Sequence, residues 1–291
     1  MMALRDIKRR IQGIRRISRI TGATKTVAMI RLMKVQGQMH RHAAYATRLR
    51  EMGEVVMMPA RRPSPPSGGE ERKEAAPVVC LVLGSDRGLC GAFNTGLLAE
   101  VEQFLAARDR GHVRLAVAGR RLAHLLTDRG MAVATDISAV RREFSIAGVS
   151  DLAAELKADF LGGKVGEVWA IHTKLSSSAR QRAATIRLLP LVATDNGDSD
   201  EAAGPDCLFE PGRSAVAEAL AAEQYVHGII QVFLESMASE QMARMLAMDM
   251  ATTNAGEMVQ ELTTQLNKVR QEMINNELAE ISSAAEVHRN A

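Results

Sequence analysis

The sequence predicts an α/β fold class in which a small α/β domain is joined to a long antiparallel coiled coil built from the N- and C-terminal helices of the same chain. Three observations lead there. Residues 3–58 and 213–287 are free of proline, and each span carries an apolar stripe at helical spacing. The segment between them alternates short apolar runs with amphipathic stretches, as strands and helices layered on a largely parallel sheet do. Aromatic residues make up only 3% of the 291 residues while methionine reaches 16, a balance that favours long helices packed by flexible aliphatic side chains.

In residues 1–58, Leu4, Ile7, Ile11 and Ile14 recur at alternating spacings of three and four, the seam of a helix that pairs with another helix. Gly13, Gly22, Gly37 and Gly53 weaken it locally. Residues 59–77, "PARRPSPPSGGEERKEAAP", cannot continue a helix and read as a linker. Residues 78–208 supply four strands, "VVCLVLG", "VRLAVAG", "VGEVWAIHTKL" and "ATIRLLPLV", with helices near 91–108, 119–129 and 149–161. That succession is a small Rossmann-like domain, closed by the acidic turn-rich loop "TDNGDSDEAAGPD". In residues 209–291, Ala255, Val259, Leu262, Leu266, Val269 and Met273 follow a 4-3-4-3-4 register. One helix over 213–287 would run roughly 110 Å at about 1.5 Å per residue, longer than a compact domain can enclose. The two arms therefore pair antiparallel, with the α/β domain attached where they diverge.

Composition narrows the function. No run of about 18 apolar residues is present, and the basic N-terminus lacks the apolar core of a signal peptide, so the cytoplasm is the expected compartment. Cys80, Cys90 and Cys207 are too scattered for a disulfide framework or a paired metal-ligand spacing, so reduced thiols and no metal are expected. The net charge of +3 hides an asymmetry: Asp6 is the only acid among residues 1–50, against thirteen lysines and arginines. Such an arm is drawn to an acidic partner, whether nucleic acid, anionic lipid or a carboxylate-rich protein surface. It lacks the interleaved aromatics of a single-strand stacking platform, which favours the protein partner over a basic coiled-coil nucleic-acid binder.

"SDRGLCGAFN", residues 85–94, lies where the first strand turns into a helix, the usual place for a phosphate cradle or a nucleophile. An enzyme reading would use Cys90 as nucleophile or the Gly88 to Gly91 loop as a phosphate site. A P-loop needs the lysine and hydroxyl of GxxxxGK[ST], and a dinucleotide fingerprint needs GxGxxG; neither is present. No histidine is placed beside Cys90 by sequence to serve as its base, and His172, beside Trp169 on a strand, reads as a satisfied polar residue. Gly88 and Gly91 permit a tight backbone, and Asp86 is placed to cap the turn.

Three stretches carry a family resemblance over nearly the whole chain: "IKRRIQGIRRISRITGATKTVAM", the "SDRGLCGAFN" loop, and "LESMASEQMARMLAMDMATTNAGEMVQELTTQLNKVRQEMINNELAEI". Its most specific residues are Glu235, Ala238, Ser239, Glu240, Gln241, Ala243, Arg244 and Met245, then Asn254, Gly256, Asn267, Lys268, Arg270, Gln271, Glu277 and Leu278. Together they resemble the gamma subunit of F-type ATP synthases, on a divergent branch. Gly22, Thr24, Thr26, Met29, Ile30 and Arg31 replace more typical residues, Asn275 stands where threonine is common, and "EVHRNA" continues past the usual end.

The resemblance implies a central-stalk rotor. Its coiled coil would stand inside a hexamer of alpha and beta subunits, with the α/β domain near the membrane ring of c subunits and the epsilon subunit. By the same resemblance Arg270, Gln271, Asn275 and Glu277 meet the beta-subunit catch loops, and Ser85, Asp86, Arg87 and Cys90 are contact residues rather than catalytic ones. Arg9, Arg10, Arg15 and Arg16 would form a basic track facing beta-subunit carboxylates. Charge-assisted hydrogen bonds at such contacts contribute roughly 1.5 to 3 kcal/mol each, enough to bias an angle and weak enough to release. The resemblance further implies no catalytic site, cofactor or nucleic acid for this chain. It also implies peripheral attachment, through the complex, to the cytoplasmic face of the plasma membrane.

Overall fold

The computed structural model describes residues 2–57, 76–175, 181–190 and 209–289. Most of the expected linker, the acidic loop and Cys207 lie outside the described residues. The described chain runs α1 (Met2–Met57), β1 (Val78–Leu83), α2 (Phe93–Ala106), β2 (Val113–Ala118), α3 (Arg120–Asp128), β3 (Val133–Asp136), α4 (Ser138–Arg142), α5 (Ile146–Leu161), β4 (Glu167–Leu175), β5 (Gln181–Leu189) and α6 (Arg213–Arg289). It divides into two compact units, Met1–Met29 with Arg244–Ala291, and Ile30–Ala243.

The first unit is an antiparallel pair of helical segments. Thr21 Oγ1 lies 2.7 Å from Thr252 Oγ1, and Lys25 Nζ donates to Asp249 Oδ1 at 2.6 Å, so positions rise along α1 as they fall along α6. Heptad spacing explains which side chains are shielded. On α1 they include Leu4, Ile7, Ile11, Ile14, Ser18, Thr21, Lys25 and Ala28; on α6 they include the six residues of the predicted register, Ala255 to Met273. The aliphatic stripe of α1 therefore continues as a small and polar stripe beyond Ile14. Beyond Met273 every described side chain as far as Ser282 is exposed, with Ile274, Leu278 and Ile281 among them.

The second unit contains a five-stranded sheet in the order β3-β2-β1-β4-β5. β1 pairs in parallel with β2 and with β4, β2 pairs in parallel with β3, and β5 runs antiparallel to β4. Successive residues of β1 face opposite sides. Val79, Leu81 and Leu83 join Val168, Ala170, Val149, Ala153 and the α6 residues Ile229, Ile230 and Phe233 in one core, which also takes Leu32 and Val35 of α1. Cys80 and Val82 join Leu97, Val101, Leu115, Val117 and Leu122 in the other. Burial on both faces is why "VVCLVLG" is continuously apolar instead of alternating.

Three local details depart from the sequence reading, the first being the short helix α4 at Ser138–Arg142, which was not expected. The helix expected near 149 begins at Ile146, because the Ser145 side chain accepts from Gly148 N at 3.1 Å and caps it. β3 was not expected; it is an edge strand with three of four residues exposed, so it shows no apolar run. α1 and α6 also meet within this unit, where Arg213 Nε donates to Val56 O at 2.8 Å and Leu49, Val56 and Leu220 form a small core.

Candidate functional site

The turn after β1 is closed from within. Ser85 N donates to Asn94 Oδ1 at 3.1 Å, Asn94 Nδ2 donates to Ser85 Oγ at 2.7 Å, and Ser85 Oγ donates to Arg87 O at 2.8 Å. Cys90 Sγ sits 3.6 Å from Ser85 Oγ and is itself buried. Leu89 and Gly91, with φ of 62° and 55°, turn the backbone, whereas Gly88 is not among the residues with positive φ. Ser85 and Cys90 therefore point inward, and the side the loop presents outward is Arg87, Gly88 and Leu89. Asp86 reaches across to the next loop: its Oδ1 accepts from Arg120 N at 3.1 Å, at the first residue of α3. Its carboxylate also lies 3.9 Å from the side chains of Arg120 and Arg142.

The loops after β1, β2 and β3 are knitted together at this edge. Gly84 N donates to Ala118 O at 2.7 Å, Arg121 N to Ser85 O at 3.0 Å, and Gly119 N to Ser138 Oγ at 2.9 Å. The strand order reverses direction between β1 and β4, and the crevice outside the carboxyl ends of two such strands is where doubly wound sheets hold their ligands. Here α6 fills it. Ser236 Oγ donates to Leu83 O at the end of β1, and Ser239 Oγ to Thr173 O near the end of β4, each at 2.8 Å. Gln181 Nε2 of β5 donates to Ser239 O at 2.6 Å. Arg141 of α4 forms an ion pair with Glu240, both side chains being 7% exposed. In this way α6 passes from one face of the sheet, where Phe233 and Ala238 pack, to the other, which receives Ala243.

His172 Nε2 lies 3.0 Å from Glu235 Oε2, and Gln231 Nε2 donates to the other Glu235 oxygen at 2.8 Å. His172 is thus partnered at Nε2 but only half satisfied, since its buried Nδ1 meets no hydrogen-bond partner among the described residues. Burial acts to raise the Glu235 carboxyl, but the hydrogen bonds from His172 and Gln231, with the charges of His172 and Lys174, outweigh it and hold the carboxyl below its ordinary value of 4.5. A depressed carboxyl contributes stability that is complete above its unfolded-state value and is lost as pH falls through the folded one. Thermal melts of the Glu235→Gln variant from about pH 7 down to about pH 3 should therefore decline less steeply below pH 4.5 than those of the parent. Equal slopes would remove Glu235 from the acid response. Burial pushes the Cys80 thiol up to about 12, so it stays protonated and inert at neutral pH.

The remaining predicted contact residues belong to the first unit, whereas the 85–94 loop belongs to the second. Arg9, Arg10, Arg15 and Arg16 are exposed on α1, off its seam; Arg270, Gln271, Asn275 and Glu277 are exposed on α6. Sequence reasoning missed the grip itself. Arg141 and Ser236 were not singled out, and Glu235, Ser239 and Glu240 stood out only through the resemblance.

An α/β domain with a mixed, largely parallel sheet whose ligand crevice is filled by a long helix, with the ends of that helix and of α1 paired antiparallel, defines a coiled-coil protein with an inserted α/β domain. The family model described as ATP synthase matches residues 3–287. The ATP synthase gamma chain of Syntrophobacter fumaroxidans is 32% identical over 288 residues, covering 98% of this chain and 99% of the relative. That of Moorella thermoacetica is 33% identical over 287 residues, covering 98% and 99%. The fold is similar to a chain of the Euglena gracilis mitochondrial ATP synthase, solved as OSCP/F1/c-ring, with a TM-score of 0.63 at 18% identity over 98% of this chain and 94% of that one. It is similar also to a chain of the Tetrahymena thermophila mitochondrial central stalk and c-ring, with a TM-score of 0.54 at 19% identity over 80% and 99%. The chain belongs to the ATP synthase gamma chain family.

Proposed function

We propose that this chain is the central-stalk rotor subunit of an F-type ATP synthase, coupling ion flow through the membrane c-ring to ATP synthesis or hydrolysis in the alpha/beta hexamer. The observation that carries this is the end-to-end match to gamma chains, joined to an antiparallel hairpin of the two chain ends. A shaft turning within a ring needs an end without deep interlocking side chains. The stretch beyond Met273, whose described side chains as far as Ser282 are exposed and include no aromatic residue, suits that need.

The subunit has no catalytic site or cofactor of its own in this reading, which is supported by the crevice of its α/β domain being filled by α6. Arg270, Gln271, Asn275 and Glu277 meet the beta subunits, Arg9, Arg10, Arg15 and Arg16 face their carboxylates, and Arg87 and Leu89 are the outward contacts of the loop. The epsilon subunit and c-ring complete its partners. Among the described residues no helix is long and apolar enough to cross a membrane, consistent with peripheral attachment through the complex, which we place on the cytoplasmic face of the plasma membrane.

Reconstitution tests the reading. The purified chain alone should hydrolyse no ATP, and adding it to its cognate alpha and beta subunits should assemble an active ATPase; failure to assemble removes the rotor role. In that complex the Arg270→Ala/Gln271→Ala pair should lower turnover by up to about tenfold, as expected for losing one charge-assisted hydrogen bond of roughly 1.5 kcal/mol, without dissolving it. Unchanged turnover and unchanged ATP synthesis would take both residues out of the catch.

A further inference from the structure

The geometry points to Arg141 and Glu240, with Ser236 and Ser239, as a torque-bearing lock that makes the α/β domain and α6 turn as one piece. The inference rests on the rotor reading above. It begins from a mismatch between what the contacts are and what stability alone requires.

Apolar burial already fastens α6 to the sheet. Ile229, Ile230 and Phe233 are almost fully buried in the core beneath it. Such contacts are non-directional, so they oppose separation far better than they oppose rotation of a helix about its own axis. A rotor subunit must resist that rotation. Directional bonds supply the resistance, and among the described residues those that tie α6 to the sheet and to α4 are concentrated between Glu235 and Glu240. Ser236 reaches the last residue of β1, Ser239 reaches β4, and Glu240 reaches α4, which follows β3.

Residues 236, 239 and 240 stand three and four apart on one helical face. Each neighbouring residue along an α-helix is about 100° further around the axis, so rotation by one position would break all three attachments together. Three anchors on three separate parts of the domain fix α6 both along its axis and around it.

The ion pair is an expensive way to gain stability alone. Two charges buried to 7% exposure lose most of their hydration, and apolar side chains of similar volume commonly hold such a place as well or better. What the pair adds is a defined angle. Charge also makes that angle testable apart from folding, since stability and torque transmission then respond differently to the same replacement.

The experiment uses the full complex, with its membrane sector, in sealed vesicles. It reads the ratio of ATP-driven ion uptake to ATP hydrolysis, alongside the thermal midpoint of the isolated full chain. The Arg141→Met/Glu240→Met double variant should melt no lower than the parent while its uptake-to-hydrolysis ratio falls roughly fivefold, the loss of one directional bond. The charge-reversed pair, Arg141→Glu with Glu240→Arg, should restore most of the ratio that either single reversal loses. A milder variant, Ser239→Ala, should lower the ratio with the complex intact, which keeps the test open if a reversal fails to fold. A double-Met complex with the parent's ratio would overturn the lock, as would a reversed pair no better than its singles. Failure of the unmodified chain to assemble with alpha and beta would instead remove the rotor reading.

Discussion

Replacing Phe233 by alanine should lower the unfolding free energy of the chain by about 3–5 kcal/mol. Phe233 is fully buried and packs in the core that α6 shares with β1, β4 and α5. Truncation removes an aromatic ring from a site enclosed on several sides, and neighbours held by strands cannot collapse far to refill it. Urea unfolding gives the measurement, with a shift in midpoint at unchanged slope as the expected form. A loss below about 1 kcal/mol would mean that α6 is not what closes this core. The functional readout should follow, because a helix that leaves the sheet takes with it the anchors at Ser236, Ser239 and Glu240.

The second large effect is expected at Gly119, where β2 turns into α3. Its φ is +116°, and a Cβ there would lie 2.5 Å from the backbone carbon of Gly84 and 2.8 Å from Ser85 N. Neither backbone can retreat easily, because Gly84 N is bonded to Ala118 O and Gly119 N to Ser138 Oγ. Gly119→Val should therefore cost at least about 2 kcal/mol, combining strain with displacement of the loop after β1. Thermal midpoint and soluble yield both report it. Gly88→Ala is the control, since its added Cβ meets nothing within 4 Å and its φ is not positive; its effect should stay within about 0.5 kcal/mol. Equal losses in the two variants would contradict the packing described between the loops.

Much of the fold is written in local pattern, and the exceptions have definite physical reasons. The seam is legible where large aliphatic residues mark it, from Leu4 to Ile14 and from Ala255 to Met273. Between Ser18 and Ala28 the same spacing continues in small, hydroxyl-bearing and charged residues, which a hydrophobic count passes over. β3 escaped because an edge strand with exposed residues leaves no apolar run. The turn at 85–94 announced itself through its glycines and its place after a strand. That Asp86 would serve α3 could not be read locally, since its partner is 34 residues away. The grip lies further still from local reasoning: Ser236 meets the end of β1 across 153 residues, and Arg141 meets Glu240 across 99. A serine within an apolar helix looks like any other until the strand end that accepts its hydrogen bond is in place.

The filled crevice has a consequence for any small molecule offered to the α/β domain. A helix that is part of the same chain competes for that place as a tethered ligand, at an effective concentration on the order of millimolar or higher, and it never diffuses away. A free nucleotide or drug would have to displace two buried serines and an ion pair while most of the helix stayed attached. Among the described residues, the crevice of the domain is occupied by a covalently resident helix, whose hold on it depends on these anchors and not on exchange with solution.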